Sequence, residues 1–128
     1  MDKGKTVSFR YIVNDVDKAI SFYKEFLDFE VDMHPAPGFA ALTRENLQLY
    51  LNQPGVGGAG QQMPDGQLPE PGGWNRIQIL VDNLESVYST LSKKGAKFRN
   101  EIVNGQGGKQ ILLQDPSGNL IELFEPKQ

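Results

Sequence analysis

"IVNDVDKAISFY", Ile12 to Tyr23, and "LVDNLESVYSTL", Leu80 to Leu91, are built alike at an offset of 68 residues, Ile12 against Leu80. Each leaves an apolar strand, passes an Asn or Asp able to cap a helix, and continues with apolar residues at helical spacing. In the first copy Val16, Ala19, Ile20, Tyr23, Phe26 and Leu27 make the stripe. In the second it is Leu84, Val87, Tyr88 and Leu91, and Gly95 stands where a helix C-terminus favours glycine. Two copies of one pattern at a fixed spacing indicate an internal duplication.

The flanks agree. "KTVSFRYIV" (5–13) and "WNRIQILV" (74–81) precede the two helices and alternate with strand period. After the first helix come "FEVDMH" (29–34), "GFAALTR" (38–44) and "NLQLYLN" (46–52), with Glu45–Asn46 as a turn. After the second come "AKFRNEIV", "GKQILLQ" and "NLIELFE", separated by the turn signals "NGQGG" and "DPSGN". The expected class is α+β, with two tandem βαβββ modules in one domain spanning 1–128. Module 1 covers about 5–53, a linker 54–73, and module 2 about 74–126. The linker contains Gly55-x-Gly57-x-x-Gly60, a dinucleotide-binding spacing. That motif needs a helix directly after it, and Pro64, Pro69 and Pro71 deny one. The expectation is a flexible connector.

Composition narrows the partners. A net charge of −3, with both signs scattered, gives no reason to expect nucleic acid or an anionic membrane. No cysteine is present, which removes thiol nucleophiles and thiolate metal ligands. No apolar run is long enough to span a membrane. A cytoplasmic protein is the default expectation.

Alternation gives each sheet two unlike faces. Phe9, Tyr11, Val13, Leu47, Leu49, Leu51, Ile77, Ile79, Val81, Ile121 and Leu123 form apolar faces for the helices. Ser8, Arg10, Gln48, Tyr50, Arg76, Gln78, Glu122 and Phe124 share the other faces with Ile12, Leu80 and Leu120. Aromatic residues with a few placed polar groups suit a small-molecule pocket, although a polar sheet face also serves solubility. Trp74 is expected at its mouth, or as an anchor in a dimer interface or in the core. Lys109 and Gln110 border it, and Asn75 forms its rim. The single histidine, His34, is expected on the surface.

"VNDVDKAISFYKEFLDFEV", "LVDNLESVYSTLSKKGAKF" and "ILLQDPSGNLIELFEP", in that order, resemble the vicinal oxygen chelate superfamily. It includes the glyoxalases, the bleomycin-resistance proteins and the extradiol dioxygenases. The resemblance implies an open, curled mixed sheet around a cavity. It also implies a metal site on the first and last strands of each module. Those positions here carry Ser8, Gln48, Arg76 and Glu122, where metal-dependent members have His, Glu or Gln. Arginine has no lone pair to offer a cation. No metal and no other cofactor is therefore expected, and Arg76 is expected to pair with Glu122 or to take an anionic group from a ligand.

The implied function is a metal-independent small-molecule binding protein whose ligand is anionic or aromatic, held by Ser8, Arg10, Gln48, Tyr50, Trp74, Arg76, Gln78, Glu122 and Phe124. The alternative is a glyoxalase- or dioxygenase-like enzyme with Glu122 as base or as sole strong metal ligand. Whether it is an enzyme is left open. A scaffold without a ligand is a third possibility. The resemblance further implies a homodimer.

Overall fold

Two capping contacts start the two long helices. Asp15 accepts at Oδ1 from the Lys18 N–H at 3.0 Å, and Asn83 accepts from the Ser86 N–H at the same distance. Both caps fall at the residues that the duplication pairs. The computed structural model describes residues 7–128, in two compact units that meet in sequence at Gly72–Gly73.

The first unit holds β1 (Val7–Ile12), α1 (Val16–Leu27), β2 (Glu30–Ala36), β3 (Phe39–Arg44), β4 (Leu47–Asn52) and a single helical turn, α2 (Gly57–Gly60). Its sheet order is β1-β4-β3-β2. β1 and β4 are parallel and the other pairs antiparallel. The apolar face takes α1. Val13, Val16, Ala19, Tyr23, Leu42, Leu49 and Leu51 lose all contact with solvent there. Tyr23 stacks on Tyr11 and meets Phe29 edge-on. Phe22, absent from the expected stripe, is buried, whereas Ile20 and Phe26 keep partial exposure. Asp28 ends the helix in the left-handed region, at φ 59°.

The second unit holds β5 (Ile77–Leu80), α3 (Leu84–Lys93), β6 (Lys97–Phe98), β7 (Val103–Asn104), β8 (Gly108–Gln114) and β9 (Leu120–Pro126). Its path is β5-β9-β8-β6, with β7 also on β8. Again the first and last strands run parallel. Ile111, Leu113, Ile121 and Leu123 are buried with Leu84 and Leu91 of α3. Val87 is half-buried. Tyr88 is exposed and packs against Phe98, with ring centroids 4.9 Å apart. The β8–β9 turn is held by buried Asp115. Its Oδ1 accepts from the Ser117 and Asn119 N–H groups and its Oδ2 from the Asn119 side chain. Gly95 ends α3 at φ +90°, as glycine readily does.

The structure corrects four boundaries. Of the first expected strand, residues 5 and 6 lie outside the described residues, and β1 ends at Ile12. The strand expected over 74–81 begins only at Ile77, because Gly72 and Gly73 both turn the chain at positive φ just before it. Trp74, Asn75 and Arg76 therefore stand ahead of the strand. The strand expected over 96–103 is broken into β6 and β7. Its register on β8 slips between Phe98–Leu113 and Val103–Gln110, and the Asn100 side chain accepts the Leu112 N–H across the gap. The linker contains one helical turn instead of none, and nothing helical follows it.

Overall the class is the expected one: α+β, with two open mixed sheets and no closed barrel among the described residues. No described helix is long and apolar enough to cross a membrane.

Candidate functional site

In the second unit the polar groups converge on Glu122. Its carboxylate is nearly buried, with 10% side-chain exposure, and that of Arg76 is 30%. Arg76 donates from Nε at 3.0 Å and from Nη2 at 2.8 Å to Oε1. Its Nη1 donates to the Trp74 carbonyl at 3.1 Å. Gln78 sits directly beside Glu122 in the parallel pair and donates to Oε2 at 2.7 Å. The Gln110 amide, with its nitrogen turned toward the carboxylate, adds a donor at 2.9 Å from Oε2. Both oxygens are thus held by four side-chain N–H groups, two of them from the charged Arg76 guanidinium. Trp74 is 61% exposed and lies under the Arg99 guanidinium, 4.3 Å from the ring centre. Leu80, on the same face, is 60% exposed. Phe124 is half-buried opposite Gln110.

In the first unit the corresponding face carries a cavity of about 620 Å³. Arg10 and Tyr50 face one another across β1 and β4, and the guanidinium lies 4.9 Å from the Tyr50 ring centre. Tyr50 in turn stacks on Phe39 at 6.0 Å and 27°. Arg10 Nη1 donates to Oδ1 of buried Asn52. Asn52 Nδ2 donates to the Val56 carbonyl at 3.3 Å, which fastens the loop over one end of the cavity. That loop needs its glycines: a Cβ on Gly60 would lie 2.4 Å from the Gln53 carbonyl oxygen, and Gly55 and Gly57 have φ of +84° and +68°. The Gly-x-Gly-x-x-Gly spacing is therefore explained by the loop's own folding.

Two expected site residues stand apart from these clusters. Ser8 is exposed and in register with Gln48. Gln48 donates to Asp32 at 2.6 Å and to the Leu42 carbonyl at 3.3 Å, toward the other end of the sheet from the cavity. His34 is exposed, with Asp17 at 3.8 Å. Asn52, Phe39 and Arg99 were not expected as site residues. An asparagine closing an apolar strand was the available signal for Asn52, and Phe39 follows from it as its antiparallel partner.

The two units correspond in a way that changes the expected match between them. Val13 N–H donates to the Asn52 carbonyl, and Val81 N–H to that of Phe124. Gln53 Oε1 accepts the first N–H of α1, from Val16, and Glu125 Oε1 accepts that of α3, from Leu84. The closing strands therefore correspond at an offset of 72 residues, Gln53 against Glu125, while the helices correspond at 68. The counterpart of Glu122 is Tyr50, not Gln48.

This donor set does not fit the divalent cation that the superfamily resemblance implies. Tyr50 stands where a second carboxylate is needed, Arg76 brings positive charge, and Glu122 already accepts on both oxygens. Among the described residues no three of His, Cys, Asp or Glu gather into a metal-holding group.

The family model described as "Glyoxalase/Bleomycin resistance protein/Dioxygenase superfamily" matches residues 5–123. The chain belongs to this superfamily. A member of the superfamily from Sphaerobacter thermophilus has a similar structure, with TM-score 0.73 and 28% identity over 92% of this chain and 94% of that one. Lactoylglutathione lyase from Agrobacterium tumefaciens matches with TM-score 0.73 at 14% identity, over 97% and 96% of the two chains. The antibiotic-binding protein TnmS3 from a Streptomyces species matches with TM-score 0.70 at 22% identity, over 99% and 98%. The last two show that the superfamily fold is shared by a lyase and a binding protein, so the fold leaves the choice to the site.

Proposed function

We propose that this chain is a metal-independent small-molecule binding protein whose ligand is aromatic or anionic. The observation that carries this reading is the first unit's cavity of about 620 Å³, floored by the Arg10–Tyr50–Phe39 stack. Its size suits a molecule of one or two rings, in the range of about 300–1,000 Å³ usual for such pockets. Aromatic faces hold a ring by dispersion and stacking. The second unit supports the reading from the other side, because the carboxylate best placed for metal chemistry is already engaged by Arg76 and Gln78. The same engagement weighs against an enzyme that uses Glu122 as its base, since an attacking proton would compete with four donors. Exposed Trp74 and Leu80 on the second unit are consistent with a homodimer.

The test is binding of aromatic probes, followed by thermal shift and calorimetry, with and without excess chelator. Affinities unchanged by chelator are expected. Turnover of the methylglyoxal–glutathione hemithioacetal that disappears with chelator would replace the reading with a metal-dependent lyase.

A further inference from the structure

The chain has four arginines, and their surroundings separate them. Arg44 donates its Nε–H to the Leu27 carbonyl. Arg76 is neutralised by Glu122 and held further by the Trp74 carbonyl. Arg99 lies over the exposed Trp74 ring and is not among the residues that line the cavity. Arg10 differs from all three. It alone lines the cavity, and it is exposed there, with contacts to the neutral groups of Asn52 and Tyr50. Among the described residues no carboxylate pairs with it, so its charge is uncompensated where a ligand would lie.

We propose that Arg10, not Arg76, reads an acid group on the ligand, and that the ligand class is an aromatic carboxylate of one or two rings. This rests on the binding reading above and specifies it. Tyr50 fixes one face of the guanidinium and Asn52 fixes one N–H, which leaves other N–H groups of the planar fork for a carboxylate. Phe39 and Tyr50 supply the stacking surface beside that fork, so acid and ring are recognised by adjoining groups. Asn52 acts through Arg10 and is a positioning residue. Its carbonyl-side partner Val56 ties the same contact to the loop covering the cavity.

The experiment compares 2-naphthoate with its uncharged carboxamide, by calorimetry on wild type, Arg10→Gln, Arg10→Lys and Arg76→Ala. Ring-proton shifts of Phe39 and Tyr50 report where each probe sits. Wild type is expected to bind the acid about 10–100-fold more tightly than the amide, the range set by a charge-assisted hydrogen bond. Arg10→Gln is expected to erase that preference, so that acid and amide bind alike. Arg10→Lys keeps the charge without the planar fork and is expected to retain part of it. Arg76→Ala is expected to keep it whole. Should Arg10→Gln fail to fold, the lysine variant and the acid-to-amide ratio in wild type decide. Equal affinity for acid and amide in wild type overturns the assignment of Arg10 and leaves the binding reading standing. Loss of preference in Arg76→Ala but not in Arg10→Gln also overturns it. Absence of binding by either probe at Phe39 and Tyr50 overturns both.

Discussion

Arg76 places two N–H groups, from Nε and Nη2, on one oxygen of Glu122, and leaves the other oxygen to Gln78. Removing either partner strands the other in a poorly solvated place. Arg76→Ala is expected to destabilise the fold by about 3 kcal/mol, at the low end for a buried pair because Arg76 still reaches water. The double replacement Arg76→Leu with Glu122→Leu should recover most of that loss. Urea unfolding of the three variants measures it, and a double variant no better than the single would show that the pair is not a closed unit.

Metal loading should fail even when the arginine is taken away. Arg76→His removes the repelling charge, yet Tyr50 and Ser8, at the other positions that the resemblance implies, are poor ligands and Glu122 is the one carboxylate. Plasma mass spectrometry after incubation with Ni, Zn, Mn and Fe(II) should find well under one metal per chain in both wild type and variant. Stoichiometric metal in wild type would mean that other donors are used.

Trp74 is the single tryptophan, so its emission reports its own surroundings. Arg99→Ala takes the guanidinium off the indole ring. A changed emission intensity is expected, with a stability loss of about 1 kcal/mol or less, as for an exposed cation–π contact. An unaltered spectrum would place the two side chains apart in solution.

The Lys109 ammonium donates to Glu85 at 2.9 Å and, chiefly through that hydrogen bond, holds its carboxyl below the usual range. The Lys109 ammonium is in turn held above its usual range, chiefly by Glu85. The stabilisation from Glu85 is therefore complete above its unfolded pKa and is lost as pH falls through the depressed folded value. That from Lys109 is complete below its unfolded pKa and fades as pH rises through the raised folded one. Carboxyl NMR titration should show the Glu85 midpoint rise in Lys109→Ala, and in wild type at high salt, since both groups face solvent. A midpoint indifferent to Lys109 would remove the pair.

Gly60→Ala tests the loop over the cavity. The added methyl would meet the Gln53 carbonyl oxygen at 2.4 Å, where backbone must move. Weaker ligand binding with a small change in melting temperature is expected, because the disturbance is confined to the loop after β4. Gly105→Ala, in the second unit, where the added Cβ meets only an ordinary contact at 3.7 Å, is the control and should bind as wild type does.

The duplication made the architecture legible, because caps and helix stripes depend on local residue order. The Arg76–Glu122 pair was legible for a different reason: the superfamily resemblance implied that both positions face one site. The match of Gln48 to Glu122 was not: it set the closing strands 74 residues apart, whereas their contacts with the helices set 72, because the duplication does not carry the spacing after the helix. The second module is longer there, and it interrupts the strand after α3 where the first has the continuous β2. Cross-strand register is set by such slips and turns, which leave little trace in alternation alone. Arg10 looked like one of many polar residues on a sheet face. Its distinction is a place in the cavity wall without a carboxylate partner among the described residues, and that is a property of three-dimensional surroundings.

Gln53 and Glu125 act as struts, each running from the tail of its unit's last strand to the head of its helix. A strut of this kind fixes both ends of a half while leaving the hairpins between them free to grow or shrink. After the ancestral copy was made, the halves could therefore drift in length without displacing the wall that each presents to solvent. One half was free to settle into a self-satisfied polar cluster and the other into an open bay, a division of labour within a single polypeptide.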